Sequence, residues 1–582
     1  MNQAANTIQE FFTAQVKKQG DKVAYNYRNK NYTYKQLESW SNLIANKISL
    51  KPKSDTVMLI LSNKILQAAA ILAVLKVNMR YIPIDLGLPE YQIAEIERSV
   101  KISCIITDRD IALFSEKSIP VLDVSNILQT TKAIKLTKNI PFTDNEIFQL
   151  IYTSGTTGKP KGVNLSYSAV LNRLQALWHD NPHSLTDVFL VFKSYSLVAS
   201  FWEMFGGLLQ GNKSVLLTTT EVSDSEILIA AIRNHQITHA FLNPNLIANL
   251  TNEMVRTKTQ LPSLRLLTNG ADILTPSLTR ITQTLLPQVI FKNLYGLTET
   301  ASNIAEFDTK HFKEDSATVP VGKPIAHSKI IILDKNKNPI HNHEVGEIAV
   351  TGPCLAVNYE NDEAMTAEKF INCNGEKHFI TGDLGYYDLE NNLVILGRKD
   401  NQVKLNGYTI HLEHIESYLS SINEIKQAGV ALVHNDKSKT LGALVVTKKH
   451  ISDKKIKLYL KDKLPSHMMP QLIIPVTSLP VVKNNKLDRP KLEKLLQNEI
   501  EKIVSNKAAN NSLDEQIKHT WKTLLGTAIT CGNENFFEMG GNSILAINMA
   551  STIESFVNKK VPLRLIFEHP TYSALLKAVG EL

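Results

Sequence analysis

The sequence predicts an α/β protein of several domains, and three observations support this prediction. A chain of 582 residues exceeds what one hydrophobic core usually supports. Strand-like apolar runs such as TVMLILS and CIITD alternate with amphipathic segments such as NKILQAAAILAVLK, a pattern typical of a doubly wound sheet. Finally, a new helical pattern begins at LDEQIKHTWKTLL, after a polar stretch rich in Lys and Asn.

Two interruptions of these patterns indicate where the domains divide. The turn-forming sequence GRKDNQ breaks the apolar periodicity near Gly397, which marks a boundary or hinge. The polar segment QNEIEKIVSNKAANNS has the composition of a linker. We therefore expect a large subdomain, a small subdomain, a linker and a helical domain, with the bounds 1–398, 399–496, 497–512 and 513–582.

Composition and charge exclude several classes of function. The net charge of +8 comes from interspersed residues without a long basic run, so we expect no nucleic-acid binding. The four cysteines are far apart and form no metal-ligand or disulfide pattern. The sequence contains no signal-peptide pattern and no apolar stretch long enough to cross a bilayer, so we expect a cytoplasmic protein without membrane contact.

A glycine- and hydroxyl-rich loop follows the apolar run IFQLI. This segment, Tyr152-Thr-Ser-Gly-Thr-Thr-Gly-Lys-Pro-Lys-Gly162, combines residues that wrap phosphates through backbone NH groups, hydroxyls and lysine charge. It is not a Walker A loop, because Lys159 is followed by Pro160 rather than by Ser or Thr. The loop therefore predicts a phosphate site of another kind.

The loop resembles the signature of the adenylate-forming enzymes, which comprise acyl-CoA synthetases, luciferases and nonribosomal peptide synthetase adenylation domains. Further motifs of that family follow in its order: Asn293-Leu-Tyr-Gly-Leu-Thr-Glu-Thr300, Phe379-Ile-Thr-Gly-Asp383, Gly397-Arg-Lys-Asp-Asn-Gln-Val-Lys-Leu-Asn-Gly407, Leu464-Pro-Ser-His-Met-Met-Pro470 and Lys483-Asn-Asn-Lys-Leu-Asp-Arg489. The resemblance covers about Tyr32 to Leu496. It implies a large adenylate-forming subdomain followed by a small mobile α+β subdomain.

The resemblance also implies which residues bind ATP. The leaving phosphates would be held by Thr153, Ser154, Gly155, Thr156, Thr157, Gly158 and Lys159. Thr298 would contact the α-phosphate, and Glu299 would help bind Mg²⁺, a hard cation that favours carboxylate oxygen. Tyr295 offers a flat face to adenine, and Asp383 would accept the ribose hydroxyls unless it is only a helix cap.

Lys486 is the expected catalytic lysine, placed between the substrate carboxylate and the α-phosphate. Asp400 would lie at the hinge about which the small subdomain rotates, and Arg398 would contact ribose or phosphate. Asn485 and Asn406 depart from the Gly and Arg that the family usually shows at these positions.

A second resemblance lies in the run that ends Gly540-Gly541-Asn542-Ser543. It is similar to the modification site of a peptidyl carrier protein, which implies an all-α four-helix carrier domain. Ser543 would carry 4′-phosphopantetheine, installed by a separate phosphopantetheinyl transferase. Taken alone, a serine at the start of a helix is more simply an N-cap.

The substrate pocket departs from that of amino-acid-activating relatives. Val198 stands where their Asp pairs with the substrate ammonium, and valine cannot hold an ammonium ion. We therefore expect a small acid without a conventionally bound α-ammonium, or one whose amine lies elsewhere, as in a β-amino acid. The remaining walls implied by the resemblance are Ala199, Trp202, Phe241, Leu267, Asn269, Leu294, Ser302 and Asn303.

The expected function is an ATP-dependent ligase that loads its own carrier domain in nonribosomal peptide or related secondary-metabolite biosynthesis. No HHxxxDG or GxSxG motif is present, so downstream condensation or tailoring enzymes would be separate partners. Three alternatives stay open: activation of an ordinary apolar α-amino acid, an acyl-CoA or fatty-acyl ligase, and an inactive binding scaffold.

Overall fold

The computed structural model describes most of the chain. The described residues are 7–49, 56–109, 119–130, 134–136, 143, 146–153, 160–272, 274–313, 318–340, 343–373, 375–399, 402–420, 422, 424–435, 438–447, 449, 451–480, 487–505, 513–526, 529, 532–557 and 559–582. They form two compact units, the first made mainly of residues up to Asp400 and the second mainly of Asn401–Leu582.

The part of the chain before residue 400 contains helices on the faces of three sheets. Its strands are β1 (Val23–Tyr27), β2 (Lys30–Thr33), β3 (Thr56–Ile60), β4 (Arg80–Pro83), β5 (Cys104–Thr107), β6 (Val121–Asp123), β7 (Ile147–Thr153), β8 (Lys161–Ser166), β9 (Val188–Val191), β10 (Lys213–Leu216), β11 (His239–Leu242), β12 (Leu266–Asn269), β13 (Ile290–Leu297), β14 (Ser302–Asp308), β15 (Lys323–Pro324), β16 (Lys329–Leu333), β17 (Gly346–Thr351), β18 (Asn358–Tyr359), β19 (Phe370–Cys373), β20 (Glu376–Tyr387) and β21 (Leu393–Arg398). Its helices are α1 (Ile8–Gln19), α2 (Tyr34–Ile48), α3 (Lys64–Lys76), α4 (Glu90–Ser99), α5 (Tyr167–Asp180), α6 (Ala199–Phe205), α7 (Thr219–Ser223), α8 (Ser225–His235), α9 (Pro244–Thr257), α10 (Pro276–Leu285) and α11 (Glu363–Lys369).

The doubly wound layering that the sequence predicts is confirmed in the seven-stranded sheet, whose order is β18-β8-β7-β4-β3-β5-β6. Strand β3 pairs in parallel with β4 and β5, and all five of its residues are buried. Helix α3 connects β3 to β4 and is buried along its whole length, with Asn63 as its N-cap. An apolar strand followed by an apolar helix thus forms the centre of this core.

A nine-stranded sheet carries most of the residues predicted to bind substrate. Its order is β15-β14-β13-β12-β11-β9-β10-β1-β2, and β9, β10, β11, β12 and β13 run parallel. In open α/β sheets, ligands bind beyond the carboxyl ends of parallel strands. A five-stranded sheet of β16, β17, β19, β20 and β21 supplies Asp383.

The second unit consists of a small α+β part and a helical part. The α+β part comprises β22 (Gln402–Leu405), β23 (Tyr408–His411), α12 (Leu412–Ser420), β24 (Ile425–Asn435), β25 (Ser438–Thr447), α13 (Asp453–Lys461), β26 (Leu472–Val476) and α14 (Arg489–Ser505). Helix α14 continues into the segment 497–512 that we predicted as a linker. The helical part comprises α15 (Leu513–Leu525), α16 (Ser543–Val557), α17 (Leu563–Glu568) and α18 (Tyr572–Gly580), in agreement with the predicted carrier fold.

The departure at Asn406 has a local structural reason. Asn406 and Gly407 connect β22 to β23, and their φ angles are +52° and +88°. A type I′ hairpin turn needs positive φ at both of its central residues, and Asn followed by Gly is a pair that strongly favours this turn. Asn406 therefore fits the tight turn in which it lies.

Candidate active site

The predicted phosphate loop lies between two antiparallel strands. Strand β7 ends at Thr153, β8 begins at Lys161, and these two residues are paired. The strand expected before the loop is therefore present, and a strand rather than a helix follows it. The other loop residues predicted to hold phosphates, Ser154, Gly155, Thr156, Thr157, Gly158 and Lys159, lie outside the described residues.

Tyr295 and Asp383, predicted to face adenine and ribose, are in direct contact. The Tyr295 hydroxyl donates a hydrogen bond of 2.5 Å to Oδ2 of Asp383. Both residues are buried, with exposed fractions of 5% and 4%. Asp383 lies within strand β20, so the alternative role as a helix cap does not apply. Two motifs that are 88 residues apart thus meet at one point.

Thr298 and Glu299 lie on a short 3-10 turn directly after β13. The Tyr359 hydroxyl donates a hydrogen bond of 2.7 Å to Oε1 of Glu299, and the backbone carbonyl of Glu299 accepts one from the NH of Ala356. These contacts hold the carboxylate in one orientation, on the sheet that also presents the predicted acyl pocket.

The glycine of this motif is required by close packing of the backbone. A side chain at Gly296 would place its Cβ 2.0 Å from the carbonyl oxygen of Ser302 on the paired strand β14. Next to it, Ala301 and Ser302 have φ angles of +50° and +112°, which non-glycine residues adopt rarely. The turn between β13 and β14 is therefore tight, and its strained residues, Ala301 and Ser302, directly follow the 3-10 turn that carries Thr298 and Glu299.

The described residues fit a magnesium ion that is held largely by phosphate. No group of three or more His, Cys, Asp or Glu side chains within the described ranges could hold a metal ion alone. Mg²⁺ usually takes one or two carboxylates together with substrate phosphates and water. The single oriented carboxylate of Glu299 suits that mode of binding.

Trp202 and Phe241 form an aromatic wall of the predicted acyl pocket. Their rings stack with centroids 5.0 Å apart at an angle of 22°. The indole Nε1 of Trp202 donates a hydrogen bond of 2.9 Å to the hydroxyl of Ser302. The ammonium of Lys193 lies 3.7 Å from the centroid of the Phe241 ring and donates to the Phe241 carbonyl. The wall is thus held from both sides.

The remaining predicted pocket residues do not all face one space. Val198 directly precedes helix α6, which begins at Ala199, and it packs half-buried against the hydrophobic core. The strand register places Leu267 and Asn269 on the face of the sheet opposite to that of Phe241, because side chains alternate along a strand. Asn269 is fully buried and donates a hydrogen bond of 2.8 Å to the side chain of Asn293.

A cavity of about 40 Å³ lies against helices α5 and α6, and we call it the α5 cavity. Four predicted pocket residues line it: Trp202, Phe241, Leu294 and Asn303. The lining also includes polar residues that the sequence analysis did not identify: Arg173, Asp180, His183, Glu203, His239 and Glu306. The signal that could have identified Arg173 is a charged residue between Val170 and Leu174 on the buried face of an amphipathic helix.

Ser543 is the first residue of helix α16 and is partly exposed. The helix is capped by its neighbour, because the side chain of Asn542 accepts a hydrogen bond of 3.0 Å from the NH of Leu545. The simpler interpretation of Ser543 as the N-cap is therefore wrong. Gly541 packs so closely on Phe536 that a Cβ would lie 2.4 Å from its ring, so the position two residues before Ser543 has no room for a side chain. An accessible serine on such a segment fits attachment of a phosphopantetheine arm.

Three further predicted residues lie wholly or partly outside the described part of the chain. Asp400 and Lys486 are not among the described residues, and only the backbone of Arg398 is described, at the end of β21. Their roles as hinge, catalytic lysine and phosphate contact remain predictions.

Comparison with known families agrees with this geometry. The AMP-binding enzyme family matches residues 12–360, more than half of the chain. The chain belongs to this family.

A second match, to the phosphopantetheine attachment site, covers residues 515–579. Apart from a few terminal residues, helices α15 to α18 lie within these bounds. The chain thus combines an AMP-binding enzyme region with a phosphopantetheine attachment domain. Adenylation needs ATP and Mg²⁺, and a phosphopantetheine attachment domain carries 4′-phosphopantetheine.

Similar proteins include large peptide synthetases. The chain is 31% identical to bacitracin synthase 1 of Bacillus licheniformis over 579 residues, 98% of this chain and 11% of that protein. It is 30% identical to gramicidin S synthase 2 of Brevibacillus brevis over 580 residues, 97% of this chain and 13% of that protein. The chain therefore spans only a small part of the length of these relatives.

A solved structure with a similar fold aligns with nearly all of the chain. Holo-PA1221, a nonribosomal peptide synthetase protein containing adenylation and carrier domains, aligns with a TM-score of 0.79 and 24% identity over 98% of both chains. At this identity the likeness concerns the fold. None of the helices in the described ranges combines the length and the apolarity needed to cross a membrane.

Proposed function

We propose that the protein activates a small carboxylic acid as an acyl-adenylate and transfers the acyl group to its own carrier domain. The reaction would belong to nonribosomal peptide or related secondary-metabolite biosynthesis. The observation that carries the proposal is the contact between Tyr295 and Asp383. The oriented carboxylate of Glu299, four residues after Tyr295 in the same motif, supports it. A phosphopantetheinyl transferase and downstream condensation or tailoring enzymes would be its partners.

The reaction brings two anions together, so the site must offset negative charge as the carboxylate attacks the α-phosphorus. In this proposal Thr298 donates to the α-phosphate, and Lys486 stabilises the charge that develops between the two reacting groups. Tyr295 and Asp383 orient the nucleoside. Glu299 would hold Mg²⁺, which would neutralise charge on the phosphates.

Ser543 would carry the arm that receives the product. A 4′-phosphopantetheine group on this serine supplies a flexible thiol for the acyl group. Asn542 caps the helix, so the proposal assigns the Ser543 hydroxyl no structural role. Ser543→Ala should therefore leave acid-dependent pyrophosphate exchange unchanged and abolish covalent loading, measured with radiolabelled acid after incubation with CoA and a transferase. Loading that persists in this variant would contradict the assignment.

The acid itself would lack a conventionally bound α-ammonium. Val198 is apolar and packs half-buried against the core, and an ammonium ion beside it would lose its water without gaining a partner. This supports a simple carboxylic acid or one whose amine lies elsewhere, such as a β-amino acid.

A single substitution tests this substrate class. Val198→Asp should raise the relative rate of pyrophosphate exchange with α-amino acids, because it introduces a carboxylate that can pair with the ammonium. Val198→Asn is the matched control, since it has nearly the same shape without the charge. A wild-type protein that strongly prefers a standard apolar α-amino acid would overturn the proposed substrate class, whereas preference for free CoA as acceptor would indicate an acyl-CoA ligase.

A further inference from the structure

The α5 cavity is lined by a buried cation, two of whose nitrogen atoms have no hydrogen-bond partner among the described residues. Arg173 is only 3% exposed, and its Nε and Nη1 atoms are buried without a hydrogen-bond partner among the described residues. Burial lowers the pKa of Arg173 to about 10, and it still carries its charge at neutral pH. A buried guanidinium with unused donors is costly, so a group that accepts its hydrogen bonds is expected in the cavity.

The other charged groups of the lining are already paired. Glu203 accepts a hydrogen bond of 3.0 Å from Lys193, and Glu306 accepts one of 2.7 Å from Lys292. Asp180 contacts His179 at 2.8 Å. None of these carboxylates is within ion-pair distance of Arg173 in the described structure, although Cys354, Asp180 and Glu306 are near enough to oppose the lowering of its pKa by burial.

The two histidines of the lining add no further positive charge near neutral pH. Burial lowers the pKa of His183, and it lowers the pKa of His239 to about 4. The Nδ1 atom of His239 is hydrogen-bonded to the hydroxyl of Thr238. Both ring nitrogens of His183 are also buried without a hydrogen-bond partner among the described residues, but Arg173 is the charged group of the lining with unused donors.

The position of the cavity connects it to the acid substrate. Trp202, Phe241, Leu294 and Asn303 belong both to its lining and to the predicted acyl pocket. A volume of about 40 Å³ holds roughly three water-sized atoms. A terminal carboxylate has three heavy atoms, two of which are oxygens that can accept from a guanidinium; a terminal carboxamide also has three heavy atoms, with one such oxygen.

We propose that Arg173 determines substrate specificity by donating hydrogen bonds to an oxygen at the far end of the acyl chain. The preferred acid would thus carry a terminal carboxamide or second carboxylate rather than a plain hydrocarbon end. This inference rests on the proposed function, since it assigns the substrate class of the same site. Sites that hydrogen-bond a substrate group reject analogues that lack it, because the buried donors are then left unpaired.

The test is pyrophosphate exchange with three series of acids of increasing length, ending in a methyl, a carboxamide or a carboxylate group. The wild type should prefer an oxygen-bearing end over the methyl end by at least about tenfold in kcat/KM. Comparison of the carboxamide and carboxylate series shows which of the two ends is recognised. Arg173→Met should bring the ratio close to one, and Arg173→Gln, which retains donors, should keep part of it.

Arg256→Met is the control, because Arg256 is paired with Glu253 on helix α9 and lies outside the cavity. It should leave the ratio unchanged. Thermal unfolding should show that Arg173→Met is folded, since a buried guanidinium without a partner does not stabilise the protein. A wild type that activates acids without regard to the end group, or an unchanged ratio in both Arg173 variants, would overturn the inference. If no acid supports exchange, the proposed function itself fails.

Discussion

The nucleotide side and the acyl side of the candidate site use their polar groups differently. On the nucleotide side, Tyr295 donates to Asp383 and Tyr359 donates to Glu299, so the protein orients its own carboxylates. On the acyl side, Arg173 is buried in the lining of a cavity, and its Nε and Nη1 atoms have no hydrogen-bond partner in the described structure. The carboxylates of the nucleotide side are thus oriented by the protein itself, whereas the acyl side has hydrogen-bond donors that a ligand would have to satisfy.

This difference separates two kinds of effect. Every acid shares the same ATP, so a substitution on the nucleotide side should lower activity by the same factor for each acid. A substitution on the acyl side should change activity by a factor that depends on the acid. Activity profiles across an acid series, rather than single rates, therefore distinguish the two sides.

Lys486→Ala should give the largest uniform loss, of about 10²- to 10³-fold in pyrophosphate exchange, because it removes a cation that stabilises transition-state charge. The same factor is expected for each acid. Lys483→Ala in the same motif is the matched control and should retain most of the activity. A loss confined to some acids would show that Lys486 belongs to the acyl side.

Asp383→Asn should lower kcat/KM for ATP by about 10- to 100-fold, because a neutral amide is a weaker acceptor for the ribose hydroxyls than a carboxylate. Asn has nearly the same shape and can still accept the hydrogen bond from Tyr295. The loss should be independent of the acid, as measured by ATP titrations at saturating acid. An unchanged kcat/KM for ATP would show that Asp383 does not contact the nucleotide.

Tyr359→Phe should lower the affinity for Mg²⁺ and so raise the Mg²⁺ concentration needed for half-maximal exchange by about tenfold, since groups that orient a metal ligand affect metal affinity. The measurement is the Mg²⁺ concentration that gives half-maximal exchange. Tyr387→Phe is the control, because it removes a hydroxyl bonded to the Ile330 carbonyl rather than to Glu299. Equal Mg²⁺ dependence in both variants would argue against Glu299 as the metal ligand.

Ser302→Ala should have the smallest effect, about threefold, because it removes one neutral hydrogen bond from the Trp202 indole. The change should vary with the size of the acid, since the indole forms a wall of the acyl pocket. A uniform loss for all acids would indicate that the strained turn at residues 301 and 302, and with it Glu299, has moved.

Much of the fold could be predicted from local patterns. The run TVMLI became a fully buried parallel strand, and the apolar segment after it became helix α3, capped by Asn63. Both follow from burial and from local backbone chemistry, which a short segment carries by itself. The extension of α14 to Ser505 was not anticipated, because polar residues with good helix propensity resemble a linker in composition.

The candidate site could be predicted only for residues that belong to a sequence motif of the family. Motifs identified Tyr295, Glu299 and Asp383, because the nucleotide they would bind is common to the family. Arg173 was not predicted, because the role proposed for it depends on a cavity formed by several strands and helices that are distant in sequence. The capping of α16 by Asn542 rather than by Ser543 likewise depends on side-chain geometry that either residue type could supply.

The most direct test of the account is intact-protein mass spectrometry of the phosphopantetheine form after incubation with Mg²⁺ and a broad mixture of acids, with and without ATP. The account predicts an ATP-dependent gain equal to one acyl group, located on the peptide that contains Ser543 and absent from Lys486→Ala. A protein that carries the arm on Ser543 and gains no acyl mass with ATP, for any acid supplied, would contradict it.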